Sequence, residues 1–230
     1  MGKLWTWIRS NWYYLTGLYL FVFLAGFFLV EQIVTEPVYV IHSTVDDWIP
    51  FNEWFVLPYF LWYIWIPLFM IILMFHDRAA YLRFCFVMFV GATACLIIYV
   101  LWPNGLDLRQ PIEGENFCAD IVRFLRRADS PYNVCPSLHV SSTVAVYLAV
   151  CRSRIYGNRP WVKFLSLTVT VLICMSAVFV KQHSVIDVIC GWLLSQGLNL
   201  AADRIFRRAS DGSGVLGTAE YLSTESADNS

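Results

Sequence analysis

The sequence predicts an all-α, polytopic membrane protein with about six transmembrane helices. Hydrophobic residues make up 58% of the 230 residues, and charged residues make up only 14%, where soluble domains carry about 25%. Ten Trp and 17 Phe add to this apolar excess. Because a soluble fold of this size has too little interior to hide so much apolar surface, most of that surface must face lipid.

Six apolar runs divide the chain, and a transmembrane helix needs roughly 20 residues of this kind. No small-residue cleavage site follows the first run, so we expect it to stay as a signal anchor. Residues 1–208 are predicted to form one membrane-embedded domain. Residues 209–230, which are rich in Gly and Ser and acidic, are predicted to be a disordered cytoplasmic tail. The runs cover residues 12–30, 54–75, 82–102, 136–151, 161–180 and 184–202.

The basic residues predict the orientation, because cytoplasmic segments carry the excess of Lys and Arg. Eleven basic residues fall on the side of the two termini. Only five fall on the other side: Arg109, Arg123, Arg126, Arg127 and Lys181. Both termini are therefore expected in the cytoplasm, and the segments around Arg109, His139 and His183 are expected to face outward, with the plasma membrane as the expected location.

The net charge and the cysteine spacing limit which kinds of molecule the protein is expected to bind. The net charge of −1 and the lack of a basic stripe argue against nucleic acid, which leaves the lipid bilayer and a membrane lipid. No Cys/His spacing suits a metal, so no metal or other cofactor is expected. Cys118 and Cys135 share one polar segment that should face an oxidising compartment, and they are a possible disulfide. Asp46 and Asp47 are interpreted as solvated loop charge.

His183 and Asp187 are four residues apart, so on a helix they share a face. A carboxylate that accepts a hydrogen bond from one ring nitrogen fixes the tautomer and leaves the other nitrogen as a nucleophile. The alternative is a His–Asp pair that only joins helices. Because Asp187 lies inside an apolar run, where ionisable groups are expected to be functional, we favour the catalytic interpretation.

His139 follows Pro136-Ser137-Leu138 at the start of the fourth run. Proline favours the first turn of a helix, and a helix N-terminus offers free N–H groups that hold phosphate. The Ser137 hydroxyl adds a donor, and His139 is suited to protonating a leaving oxygen as a general acid. Taken alone, a capping or interfacial histidine is the simpler interpretation; the second stretch around His183 makes the catalytic one stronger.

These stretches resemble the type-2 phosphatidic acid phosphatase superfamily, which includes vanadium haloperoxidases and sphingolipid head-group synthases. Pro136-Ser137-Leu138-His139 is similar to its second motif, and Ser176-Ala177 followed by His183 and Asp187 is similar to its third. Only Arg109-Gln110-Pro111 is left of its first motif, with Trp102 in place of the Lys. Leu138 in place of Gly is similar to the inositol phosphorylceramide synthase branch. The resemblance covers roughly residues 103–202.

The resemblance implies roles for individual residues. His183 would be the nucleophile, Asp187 its orienting carboxylate and His139 the general acid. Arg109 and Ser137 would bind phosphate oxygens. Ala177 stands where the family has Arg, and Lys181 either supplies the lost charge or is an interfacial anchor.

The resemblance also implies a function, a metal-independent lipid phosphatase with a phosphohistidine intermediate. One alternative is a head-group phosphotransferase of the inositol phosphorylceramide or sphingomyelin synthase type. Another is an inactive homologue that only binds lipid.

Overall fold

The computed structural model describes the backbone of residues 11–227 and the side chains of residues 11–206. Within this part, the chain forms eight α-helices and two strands of two residues each, β1 (Tyr39–Val40) and β2 (Asn104–Gly105), which pair in parallel. Short 3₁₀ turns, Trp12–Leu18 and Glu53–Phe55, lead into two of the helices. The helices are α1 (Tyr19–Ile33), α2 (Thr44–Trp48), α3 (Val56–His76), α4 (Arg78–Leu101), α5 (Phe117–Ala128), α6 (Leu138–Arg152), α7 (Pro160–Phe179) and α8 (Val185–Ala227).

The protein is an integral membrane protein, as predicted. Five stretches in the described part are long and apolar enough to cross a bilayer, and they carry large exposed apolar side chains such as Phe21 and Phe164. The sixth apolar helix, α6, has only 15 residues. Together, the five stretches and α6 confirm the predicted all-α bundle. The five stretches are Trp12–Ile33, Glu53–His76, Arg78–Leu101, Pro160–Phe179 and Val185–Phe206.

The short helix α6 lies at the centre of the bundle, packed against α3, α4, α7 and α8. Ten of its 15 residues are buried. A helix that is apolar all round belongs in an interior. Because α6 is surrounded by protein along its length, it has no need to match the hydrocarbon thickness of the bilayer. The residues at its start, which carry His139, are held within the bundle in this way.

The connections between helices gather into two groups, as an up-and-down bundle requires. In one group, the Asp77 carboxylate between α3 and α4 accepts hydrogen bonds from Ser153 Oγ (2.7 Å) and Arg154 N (2.9 Å), between α6 and α7. In the other group, β1 pairs with β2, and Asp46 in α2 contacts the segment between α7 and α8. Both groups agree with the predicted order in which successive helices cross the membrane in opposite directions. Which group faces the cytoplasm stays a prediction.

The orientation can be tested by cysteine labelling at one exposed residue from each group. Glu115 lies before α5, and Asn158 lies between α6 and α7. We expect Glu115→Cys to react with an impermeant maleimide in intact cells and Asn158→Cys to react only after lysis. The unsubstituted protein, whose cysteines are all buried or half-buried, is the control. The reverse pattern would invert the predicted topology.

The predicted Cys118–Cys135 disulfide is not formed, since both thiols are free. Cys118 lies on the buried face of α5 against Val56 and Tyr59, whereas Cys135 packs in a different cluster with Ile41.

Helix α8 continues to Ala227 and so includes most of the segment 209–230 that was predicted to be a disordered tail. No side chain beyond Phe206 is described, and disorder there stays a prediction.

Candidate active site

The turn that precedes α6 is fixed by Tyr99 in α4 and Asn104 in β2. The buried Asn104 side chain accepts hydrogen bonds from the N–H groups of Val134 (3.0 Å) and Cys135 (2.8 Å) and donates to the Cys135 carbonyl (3.0 Å). The Tyr99 hydroxyl donates to the carbonyl of Pro136 (2.6 Å), the residue after a cis peptide bond. Because every one of these groups is buried, the hydrogen bonds define one position for the turn.

Helix α8 lies directly against this turn. A Cβ added at Gly191 would lie 2.6 Å from the Ser137 carbonyl oxygen, so only glycine permits the approach. The Ser137 N–H donates to the Asp187 carbonyl (3.1 Å). As a result, the ring centroids of His139 and His183 are only 5.6 Å apart. The structure thus brings together the two histidines that were predicted to share a site.

His183 and Asp187 face each other, although His183 lies in the turn before α8 and only Asp187 lies on the helix. The distance from His183 Nδ1 to Asp187 Oδ2 is 3.5 Å, longer than an ordinary hydrogen bond. Both side chains are buried, and Asp187 Oδ2 accepts a hydrogen bond from Ser184 N (2.8 Å). His183 Nδ1 and Asp187 Oδ1 have no hydrogen-bond partner in the described part of the chain. Such contacts often tighten when substrate binds, and this pair is placed to do so.

The His139 ring is held by aromatic packing. Its centroid lies 4.5 Å from that of Tyr59 and 4.4 Å from that of Trp62. The Trp62 indole is itself fixed by a hydrogen bond from Nε1 to Ser142 Oγ (2.8 Å). His139 Nε2 is buried, with no hydrogen-bond partner among the described residues. The packing fixes the ring plane and leaves the hydrogen-bonding capacity of Nε2 unused among the described residues.

Both histidines line an elongated cavity of about 600 Å³. On α3, its wall extends from Phe60 to Met70, which at 1.5 Å per residue corresponds to about 15 Å. Aromatic and aliphatic side chains of α1, α3, α4 and α5 form most of the wall. The polar side chains are concentrated around the histidines and include Asp129, Ser130, Asn133 and Gln182. The cavity therefore suits a molecule with one polar end and one apolar end.

Arg109 lies at the polar end of the cavity, behind its lining. Its guanidinium donates to Gln182 Oε1 and to the carbonyls of Ser130 (3.0 Å) and Arg126 (3.4 Å). Burial lowers the pKa of Arg109, and the nearby Asp129 carboxylate acts in the opposite direction. Because Gln182 lines the cavity and precedes His183, Arg109 places its positive charge one side chain away from the histidines.

Lys181 and Ser137 have structural contacts. Lys181 is buried, its backbone is left-handed (φ 61°), and Nζ donates to the Asp46 carbonyl (2.7 Å). Burial lowers the pKa of Lys181, and Asp46 and Asp47 act in the opposite direction. Ser137 is the N-cap of α6, with Oγ accepting from Val140 N (3.4 Å). Neither residue lines the cavity, and their roles in binding phosphate stay predictions.

Sequence reasoning missed three polar residues near the histidines. Asp129 and Gln182 line the cavity, and burial raises the pKa of Asp129. Asp46, interpreted above as solvated, is fully buried, and that interpretation is wrong. Its partners lie more than 130 residues further along the chain, so no local pattern marks it. Asp129 likewise belongs to no motif in the sequence, whereas Gln182 is the residue before the predicted nucleophile His183 and could have been considered.

No family model, curated protein or solved structure matches this chain. The resemblance therefore rests on the motifs quoted above and stays a prediction. Among the described residues, no group of three or more His, Cys, Asp or Glu side chains is arranged to hold a metal ion. Independence from metals stays a prediction.

Proposed function

We propose that this protein is an integral membrane lipid phosphatase that forms a phosphohistidine intermediate. The observation that carries the proposal is the pair of histidines, 5.6 Å apart between ring centroids, at the polar end of an apolar cavity. One of them, His183, is backed by the fully buried carboxylate of Asp187. A nucleophile, an orienting carboxylate and a proton donor are the three groups that covalent hydrolysis requires.

The reaction begins with attack by His183 Nε2 on phosphorus. A P–N bond forms and the P–O bond to the lipid alcohol breaks, while Asp187 accepts a hydrogen bond from Nδ1–H and stabilises the charge on the ring. His139 gives its proton to the departing alkoxide. Water then attacks phosphorus, the P–N bond breaks, and His139 takes a proton from that water. Phosphate leaves, and both histidines return to their starting states.

Charge on the phosphate oxygens is met by Arg109 and by the start of α6. The first N–H groups of a helix have no intrahelical partner and favour an anion. Arg109 contacts Gln182 beside His183, so its positive charge lies one side chain away from the proposed position of the transferring group. Preorganised donors of this kind supply much of the stabilisation of a phosphoryl-transfer transition state.

The cavity supports an amphiphilic substrate. Its wall along α3 is about 15 Å long, enough for part of an acyl or prenyl chain, and its polar part holds the reactive groups. In the predicted orientation this polar end faces outward at the plasma membrane. A phosphorylated lipid would place its head group at His183 and one chain along α3.

Transfer to a lipid alcohol is the second candidate, and the shortage of cations favours it. A phosphomonoester dianion needs more positive charge than a phosphodiester monoanion. Ala177 is fully buried where the family has Arg, and Lys181 donates to Asp46. The carboxylate of Asp129 also lines the cavity. A head-group transferase acting on a diester, with a lipid alcohol in the place of water, is consistent with this charge.

One experiment separates the candidates. Purified protein in lipid nanodiscs is given a lipid phosphate or a phosphodiester lipid with a labelled phosphorus, with and without added diacylglycerol or ceramide. Release of inorganic phosphate that does not depend on the added alcohol supports hydrolysis. Label that moves to the alcohol supports transfer. Retention of the label on every donor, in folded protein that still binds the lipid, would contradict both and favour an inactive lipid-binding homologue.

A further inference from the structure

The connection between α1 and α3, which we call the first loop, contains α2 and the buried residue Asp46. The Asp46 carboxylate joins this loop to the segment that carries His183. Asp46 belongs to α2, and its Oδ2 accepts a hydrogen bond from Ser43 N (2.8 Å) within the same turn. Its other contacts reach across the molecule. Oδ2 accepts from Ser184 Oγ (2.6 Å), and Oδ1 accepts from Val185 N (2.9 Å). Its backbone carbonyl accepts from Lys181 Nζ (2.7 Å). The neighbouring Asp47 is exposed and pairs with His42.

All of the distant partners of Asp46 lie within residues 181–185, with His183 at the centre. This segment is a tight connection between α7 and α8, and it includes Lys181 in a left-handed conformation that non-glycine residues seldom adopt. Such a conformation persists only where the surroundings hold it. Asp46 binds the segment on one side through Lys181 and Ser184, and Arg109 binds it on another through Gln182.

Ser184 connects Asp46 to the catalytic pair. Its Oγ donates to Asp46, and its N–H donates to Asp187 Oδ2 (2.8 Å). The same Oδ2 is the atom that faces His183 Nδ1 at 3.5 Å. Any shift of Ser184 therefore moves the carboxylate that orients the nucleophile. Because the His183–Asp187 contact is already long, a further displacement would break it.

We propose that Asp46 is a positioning residue for His183: its carboxylate holds Ser184 and the start of α8 so that Asp187 faces the nucleophile. The inference rests on the proposed function, since it assigns Asp46 to the same reaction. No residue of the first loop lines the cavity. The proposal nevertheless assigns this loop a part in catalysis, through Asp46. Asp46 is buried and Asp47 is exposed, so substitutions at these two neighbouring aspartates provide a matched comparison.

The test compares Asp46→Asn with Asp47→Asn in full-length protein in nanodiscs. An Asn side chain has one acceptor oxygen, so at least one of the N–H groups of Ser43 and Val185 would face another donor. Hydrogen exchange is measured on the peptide covering residues 180–187. We expect exchange in Asp46→Asn to be about 10–100-fold faster, as for loss of a hydrogen bond to a charged group. We expect no change in Asp47→Asn, because exposed ion pairs contribute little.

Turnover is measured in the same samples on a lipid phosphate, with single-turnover rates to remove the effect of an inactive fraction. For Asp46→Asn we expect kcat to fall about 100-fold, the cost of a small misplacement of a reacting group, while KM changes by less than about twofold. Asp47→Asn should keep both constants. Ser184→Ala removes the hydrogen bond to Asp46 together with the one that Ser184 Oγ accepts from Ile186 N (3.1 Å). It should lower kcat about tenfold, and it keeps the test open if Asp46→Asn does not fold.

The outcomes are separable. Unchanged exchange in Asp46→Asn, or faster exchange with an unchanged single-turnover rate, overturns the positioning role. Equal losses in Asp46→Asn and Asp47→Asn overturn it as well. A wild-type protein that neither hydrolyses nor transfers overturns the proposed function instead, and the exchange rates then decide alone whether Asp46 holds the segment.

Discussion

His183→Ala is expected to abolish turnover on every phosphate ester that the cavity admits. Without the His183 imidazole the proposed covalent intermediate cannot form, and His139 in its proposed role donates a proton and does not attack phosphorus. Removal of the nucleophile from a covalent hydrolase costs on the order of 10⁶-fold in kcat, so activity should fall to background. The matched control is His76→Ala, since His76 is exposed at the end of α3 and its ring contacts the Ile72 carbonyl (2.9 Å), outside the cavity lining.

Asp187→Asn should give a smaller loss of the same kind, about 10⁴-fold. An amide in this place favours the wrong tautomer of His183 and cannot stabilise the charged ring. The intermediate is measured as acid-labile, base-stable label on the protein after brief mixing with labelled substrate. Label at wild-type level in folded His183→Ala would assign the nucleophile to another residue.

The sequence was sufficient to predict the bundle, because the signal for each membrane helix is local. A run of about 20 apolar residues must form a helix in lipid, since only internal hydrogen bonding satisfies its backbone. The spacing of His183 and Asp187 suggested that they pair, but His183 lies two residues before α8, so the contact depends on the turn before the helix and not on helix periodicity alone. The meeting of His139 with His183 required only that both lie near the same end of the bundle.

Contacts between distant segments were not predictable. Asp46 is acidic and lies in a polar loop, and solvation was the natural interpretation, yet the N-terminus of α8 and Ser184 bury it. Lys181 was considered as a phosphate ligand because of its charge, and its ammonium instead meets the Asp46 carbonyl. The disulfide prediction used only a shared loop. The orientation of α5, which buries Cys118 away from Cys135, was not part of the local pattern.

His139→Ala should separate the proton donor from the nucleophile, because its effect depends on the leaving group. A lipid alkoxide is a poor leaving group and needs a proton in the transition state, whereas nitrophenolate leaves without one. General acid catalysis contributes about 10²–10⁴-fold. We therefore expect a loss of that size on a lipid phosphate and a much smaller loss on a nitrophenyl phosphate, with both kcat values measured in the same nanodisc preparation.

Packing around His139 makes a second variant necessary. The ring lies between Tyr59 and Trp62, and its removal leaves a space into which those side chains can move. His139→Gln fills more of that space without restoring an acid, so it should show the same dependence on the leaving group as His139→Ala. A variant that only disturbs the packing would lower both activities by the same factor. Equal losses on the two substrates in both folded variants would therefore remove His139 from the role of general acid and leave it as a wall of the cavity beside His183.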